Sequence, residues 1–249
     1  MLRIDEQGAW RIIHAFARDC LLREPGSLRA VYAVGPLAGG YYHAGSSDLQ
    51  AVLIVADESR HTWGRCFAPG PALEVLNDQY RHAYDLTSDS GATALLESEL
   101  IPPYLNTQAV PIIARLKCEA QLLWGSADLA QVPMPTAKDL RRAARQYESW
   151  WASVYPGEAE VFHLDLPTCV NAIREYIFRY LWIERSEIEF SPARQIERFA
   201  AANPPGFDPT GLRLLEHSLT GQELSGFELD LLRAWLLNLR ATMNRYLGI

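Results

Sequence analysis

Several kinds of segment are missing from this chain, and each absence removes a class of function. No apolar run approaches the roughly 20 residues that a membrane-spanning helix needs, so no membrane role is expected. The opening MLRIDEQGAWRIIHAF is broken by acids and polar side chains and does not read as a secretory leader. Cysteines are few, four in all, and their positions at 20, 66, 118 and 169 match no zinc or redox spacing. That usage suits a reduced, cytoplasmic setting. A basic excess is lacking too: 23 Lys and Arg stand against 30 Asp and Glu, a net charge of −7. A nucleic-acid partner would need a concentrated positive surface, so none is expected. Internal repeats, low-complexity tracts and long charge blocks are also absent.

What is present is an ordinary core-forming composition, 249 residues of which 49% are hydrophobic, enough for one large domain or two modest ones. Trp10, Ile13, Phe16, Ala17 and Cys20 recur at helical spacing and predict a helix over about 6–22, stopped by EPGS. RAVYAVG and LQAVLIVA are short β-branched runs bounded by glycine-rich loops and predict buried strands. ALEVLNDQY and AQLLWG are two further strand candidates, with helical spacing over about 91–117 between them. After SADLAQVPMPT the texture changes. Helices are predicted at about 137–154, 167–189, 192–202, 209–219 and 225–247, with Thr136, Ser191 and Ser225 as caps. The expected organisation is an α/β domain over 1–134 and an all-α helical bundle over 135–249, monomeric or homodimeric, with a small-molecule site in the cleft between them.

The most informative stretch is VYAVGPLAGGYYHAGSSDLQAVLIVADES, Val31 to Ser59. Gly40-x4-Gly45-Ser46 imitates a phosphate-binding P-loop, but the lysine is missing and a strand follows where a helix is required. The glycines at 35, 39 and 40 do not give a dinucleotide fingerprint either. A third arrangement fits: a glycine turn ending one strand, a short helix and loop, and Asp48 at the mouth of the next strand. Residues i and i+2 of a strand share a face, so acids at 48 and 50 would share a pair of magnesium ions. Position 50 is glutamine.

This arrangement resembles the polymerase-beta-type nucleotidyltransferases, and the likeness sharpens toward the bacterial aminoglycoside adenylyltransferases. SSDLQAVLIV resembles their SDxDxxV strand, and ALEVLN their third strand, which places Glu74 on the glutamate that serves as general base. LLWGSADL and RYLWIERSEIEFSPARQIERF are similar to the segment before, and a segment within, the helical domain of those enzymes. The resemblance runs over about 30–200. It implies transfer of AMP from ATP to a hydroxyl of a small molecule such as an aminoglycoside, with Mg2+ and ATP as cofactors. Asp48 and Glu74 would be catalytic, Asp48 and Gln50 would lie at the metal, and Gly35 and Ser47 at the nucleotide.

Three positions depart from that pattern. Pro36 replaces the serine of Gly-Ser and offers neither hydroxyl nor N–H, although it suits the first position of a helix. Gln50 replaces the second metal aspartate with an uncharged amide. Pro192 stands where the resemblance expects a phosphate-binding lysine after Ser191, with Arg194 two residues on. All three strike phosphoryl handling. Two readings therefore stand: a working transferase, and a catalytically inactive relative that binds a nucleotide, small ligand or protein partner in the same place. Against these site readings stand plainer ones: Asp48 as a turn residue, Glu74 on a solvent edge, His43 in an exposed loop, His82 and Asp85 by chance, and the tryptophans 150, 151, 182 and 235 as bundle packing.

Overall fold

The computed structural model describes residues 4–44, 47–66, 68–87, 89–126 and 128–248. They form two compact units, Met1–Pro135 and Thr136–Ile249.

The first unit begins with α1 (Glu6–Arg23), capped by Asp5, whose carboxylate accepts the Gly8 N–H at 2.7 Å. Ala9, Ile12, Ile13, Phe16, Ala17 and Cys20 form its buried stripe. There follow β1 (Leu28–Val34), the single turn α2 (Pro36–Gly39), β2 (Gln50–Val55), α3 (Arg60–Trp63) and the small hairpin β3 (Gly64–Arg65) and β4 (Ala68–Pro69). Then come α4 (Pro71–Tyr84), β5 (Gly91–Leu96), α5 (Ala109–Glu119) and β6 (Gln121–Gly125). The main sheet has the order β5-β2-β1-β6. β1 runs antiparallel to both β2 and β6, whereas β2 and β5 are parallel, which requires the crossover that α3 and α4 supply.

Strand alternation sorts the side chains into two layers. Val31 and Ala33 of β1, Ala51, Leu53 and Val55 of β2, and Ala94 and Leu96 of β5 pack in one core with α1 and α4. Tyr32, Val34, Gln50, Val52 and Ile54 alternate with them and face the side that carries α5. Gln50 thus leaves the sheet on the α5 face, directly across from Val34.

Two expectations need correction here. Residues 72–80 are not a strand but part of α4, because Leu73, Leu76, Asn77 and Tyr80 are spaced for one helical face behind Pro71 at the first turn. The fourth strand of the sheet is instead GATALL, inside the 91–117 stretch expected to be helical. Thr93 is its one β-branched residue and Leu, Ala and Gly favour no strand by themselves; hydrogen bonding to β2 and burial under α4 make it a strand.

The second unit is wholly helical: α6 (Ala137–Val154), α7 (Glu158–Val161), α8 (Leu166–Arg185), α9 (Pro192–Ala202), α10 (Pro209–Leu219) and α11 (Gly226–Leu247). Thr136 and Ser225 form capping boxes with Asp139 and Glu228. α8 is the hub and packs against α6, α9, α10 and α11, which explains why it is buried on nearly every side. Trp151 and Trp235 belong to this core, while Trp150 is exposed. One polar network lies within the core. Glu148 of α6 accepts hydrogen bonds from the Tyr176 hydroxyl, from Arg240 Nε at 3.0 Å and from Asn244 Nδ2 at 2.7 Å. The Arg179 guanidinium, 1% exposed, sits 4.1 Å over the Tyr147 ring and 3.1 Å from Glu175. No helix among the described residues is long and apolar enough to cross a membrane.

Candidate functional site

The site is built at the end of β1. Gly35 turns the chain with φ +73° and ψ −153°, a backbone that L side chains avoid. A Cβ there would also press on the ends of two side chains, 2.7 Å from Gln50 Oε1 and 3.2 Å from Arg115 Nη1, so torsion demands the glycine and the contacts with Gln50 and Arg115 depend on it. Pro36 opens α2, and its carbonyl accepts the N–H groups of Gly40 and Tyr41. Proline at 36 thus preserves the turn while removing the donors that a serine would add.

Glu119, Tyr41, Arg115 and Gln50 close on this turn. Glu119, at the end of α5, accepts the Gly35 N–H at 3.0 Å and the Tyr41 hydroxyl at 3.1 Å. Arg115, one helical turn earlier, pairs with Glu119 through Nε at 3.4 Å and donates from Nη1 to Gln50 Oε1 at 3.0 Å. Gly39 makes room for the group, since a Cβ on it would lie 2.3 Å from the Tyr41 ring and 2.8 Å from Glu119 Oε2. Burial is the first cause, and the Glu119 charge the second, of a raised pKa at the neighbouring Cys118 thiol.

The structure places the expected site residues as follows. Gln50 and Gly35 come together on adjacent strands. Asp48, half-buried just before β2, accepts a short hydrogen bond from the Thr87 hydroxyl, which also contacts Ser90 Oγ at 2.9 Å. Ser47 closes its own loop, accepting the His43 N–H on Oγ at 2.8 Å, and His43 is exposed. Glu74 does not stand on a strand; it lies on the exposed face of α4. The strand that does run beside β2 is β5, and its sequence GATALL holds no acid. Thr93, level with Val52 in that pair, hydrogen-bonds the Cys66 thiol.

In the helical unit, the N-terminus of α9 shows a related pattern. Glu189 Oε1 accepts the Ser191 N–H at 3.0 Å, and its other oxygen is 3.4 Å from Arg198 Nη2. Arg194 is exposed.

The oxygen that position 50 would offer a cation already accepts from the Arg115 guanidinium, which is itself paired with Glu119. Among the described residues, no three His, Cys, Asp or Glu side chains gather as metal ligands. Reading from sequence missed Arg115, Glu119 and Thr87. The first two carried one signal, an Arg-x3-Glu spacing that puts both on one face of α5.

No protein-family model and no curated protein sequence matches the chain. Among solved structures it is similar to spectinomycin adenyltransferase AAD(9) from Enterococcus faecialis, described with ATP and spectinomycin, at a TM-score of 0.59 and 15% identity, covering 92% of this chain and 98% of that one. It is also similar to a toxin–antitoxin complex with AMP-PNP, at TM-score 0.31 and 16% identity over 56% of this chain and 90% of that one. A tri-AMPylated Shewanella oneidensis HEPN toxin in complex with its MNT antitoxin gives TM-score 0.30 and 15% identity over 60% and 92%. Those two scores are too low to bear on this chain. The likeness to AAD(9) covers nearly all of both chains, and this protein therefore has the nucleotidyltransferase fold of the adenylyltransferases.

Proposed function

We propose that this chain uses the adenylyltransferase fold to bind rather than to transfer. It holds a nucleotide, a small hydroxylated ligand or a protein partner, and it does not carry out metal-dependent transfer of AMP. The observation behind this reading is the 3.0 Å contact from Arg115 Nη1 to Gln50 Oε1. In-line transfer to a hydroxyl relies on paired carboxylates that hold two cations against the triphosphate. Here one carboxylate is an amide, and that amide is held by a fixed cation. A unit charge and a dication within about 5 Å repel by several kcal/mol even at an effective dielectric of about 20, a cost that the Glu119 carboxylate paired with Arg115 reduces. The strand beside β2 adds no third acid, and the Gly35 N–H, at the turn that the resemblance puts beside the phosphates, already donates to the Glu119 carboxylate.

The second reading, a working transferase, draws on Asp48, which still stands at the mouth of β2, and on the ATP and spectinomycin in the AAD(9) structure. In it Asp48 ligates magnesium, Glu74 takes the hydroxyl proton, and Gly35 and Ser47 face the phosphates. The two readings separate in one assay: ATP labelled on the α-phosphate, magnesium, and a panel of aminoglycosides and aminocyclitols. The binding reading predicts no labelled product from the native chain, and none from Gln50→Asp with Pro36→Ser. Label on any acceptor with the native protein establishes the transferase. Label only with the variant means that the native residues suppress a dormant enzyme.

A further inference from the structure

Glu119 is not where helix physics would put an acid. It is the last residue of α5, at the negative end of the helix dipole. Its partner Arg115 precedes it by four positions, the less favourable order for an ion pair on a helix. The groups that hold it come mostly from elsewhere: the Gly35 N–H, the Tyr41 hydroxyl, and the space left by Gly39. Its side chain is 9% exposed. A backbone donor, a phenol and a guanidinium thus surround one carboxylate, and Gln50 fixes the guanidinium from the other side.

We propose that Glu119 is an autoinhibitory carboxylate, the built-in occupant of an anion cradle. It competes with an external phosphate for the Gly35 N–H, the Tyr41 hydroxyl and Arg115. When Glu119 is withdrawn, Arg115 supplies the positive charge and the cradle takes a phosphate with no metal. Carboxylate and phosphate use the same charge-assisted donors, and the arginine fork suits either. A carboxylate tethered beside the donors outcompetes a free anion, so the native chain binds phosphate weakly. This inference rests on the metal-free reading of the site above.

The test is titration calorimetry with pyrophosphate in EDTA, on the full chain. Glu119→Gln removes the competing charge and leaves one amide oxygen where the Gly35 N–H and the Tyr41 hydroxyl now use two carboxylate oxygens separately. It should bind pyrophosphate at least tenfold more tightly than the native protein, and adding Arg115→Met should return binding to the native level. Glu119→Ala, which empties the cradle, serves as the second variant if Gln disturbs folding. A folded variant of either kind with no gain overturns the proposal, and so does a gain that survives Arg115→Met. AMP transfer by the native chain would sink the metal-free reading, whereas an absent gain with no transfer would sink only the autoinhibitory role of Glu119.

Discussion

Arg115 and Gln50 meet at 3.0 Å, one from the last turn but one of α5 and the other from the first position of β2. The contact ties a helix on one face of the sheet to the residue that the strand-loop-strand motif reserves for metal. Where the resemblance expects a carboxylate beside a dication, an amide stands beside a guanidinium that Glu119 in turn neutralises.

Gly35 and Gly39 shape this contact, and replacing either should be costly. Gly35→Ala places a Cβ at φ +73° and within 2.7 Å of Gln50 Oε1. Left-handed strain and overpacking together should remove about 2–4 kcal/mol. Gly39→Ala pushes on Tyr41 and Glu119 and should cost about 1–3 kcal/mol. Urea midpoints measure both; a loss below 0.5 kcal/mol at Gly35 would mean that the turn is not built as described.

Much of the fold could be read in the sequence because local and tertiary preferences agreed. Helix α1 follows its apolar stripe, and α6 and α11 begin at the caps expected from Thr136 and Ser225. Sequence and structure part at 71–96, where short apolar runs suit a strand or a helix alike. ALEVLN was matched to a strand although Leu73, Leu76 and Tyr80 already had helical spacing. GATALL is a strand through its neighbours rather than its own residues. In the site, Gly35 and Gln50 were visible as motif positions, since strand pairing brings them together. Arg115 and Glu119 were not, because a contact across 65 or more positions leaves no trace in a single sequence beyond the spacing of the pair itself.

The buried network of the helical unit should behave as one element. Glu148→Ala leaves Arg179, Arg240 and the Tyr176 hydroxyl without their shared acceptor and should cost about 3–5 kcal/mol. Arg141→Ala, which breaks an ion pair with Glu184 that is open to solvent, should cost no more than about 1 kcal/mol. Equal effects of the two in chemical denaturation would contradict the burial of Glu148.

Acid should weaken the protein partly through two helix caps. Hydrogen bonds from Thr168 hold the Asp165 carboxyl below its ordinary pKa, and those from Ser225 do the same for Glu228. A depressed folded pKa means that the unfolded chain takes up the proton first as pH falls. Their contribution is therefore complete above about pH 5 and is lost as pH drops through the folded values. Asp165→Asn with Glu228→Gln should lower the melting temperature at pH 7 and make its fall between pH 5 and 3 shallower. An unchanged acid slope would exclude the two caps.

Thiol chemistry reports on the site from one residue away. Burial pushes the Cys20 and Cys169 thiols up to about 12 and that of Cys66 higher still, so these three should resist an aromatic disulfide reagent at pH 8. Cys118 is the exposed thiol. One fast-reacting thiol is expected in the native protein and four after unfolding. Since the Glu119 charge contributes to the raised Cys118 pKa, Glu119→Gln should speed its reaction. A slower or unchanged rate would place that carboxylate farther away.

The central claim, that a guanidinium stands in for the metal, is tested most directly by magnesium titration of the native chain beside Gln50→Asp and Gln50→Asp with Arg115→Met. The account predicts no binding by the native chain at millimolar magnesium, and none by Gln50→Asp alone, because the new carboxylate pairs with Arg115. Binding should appear only when the arginine is also removed. Tight magnesium binding by the native protein, with ATP affinity that depends on it, would contradict the account.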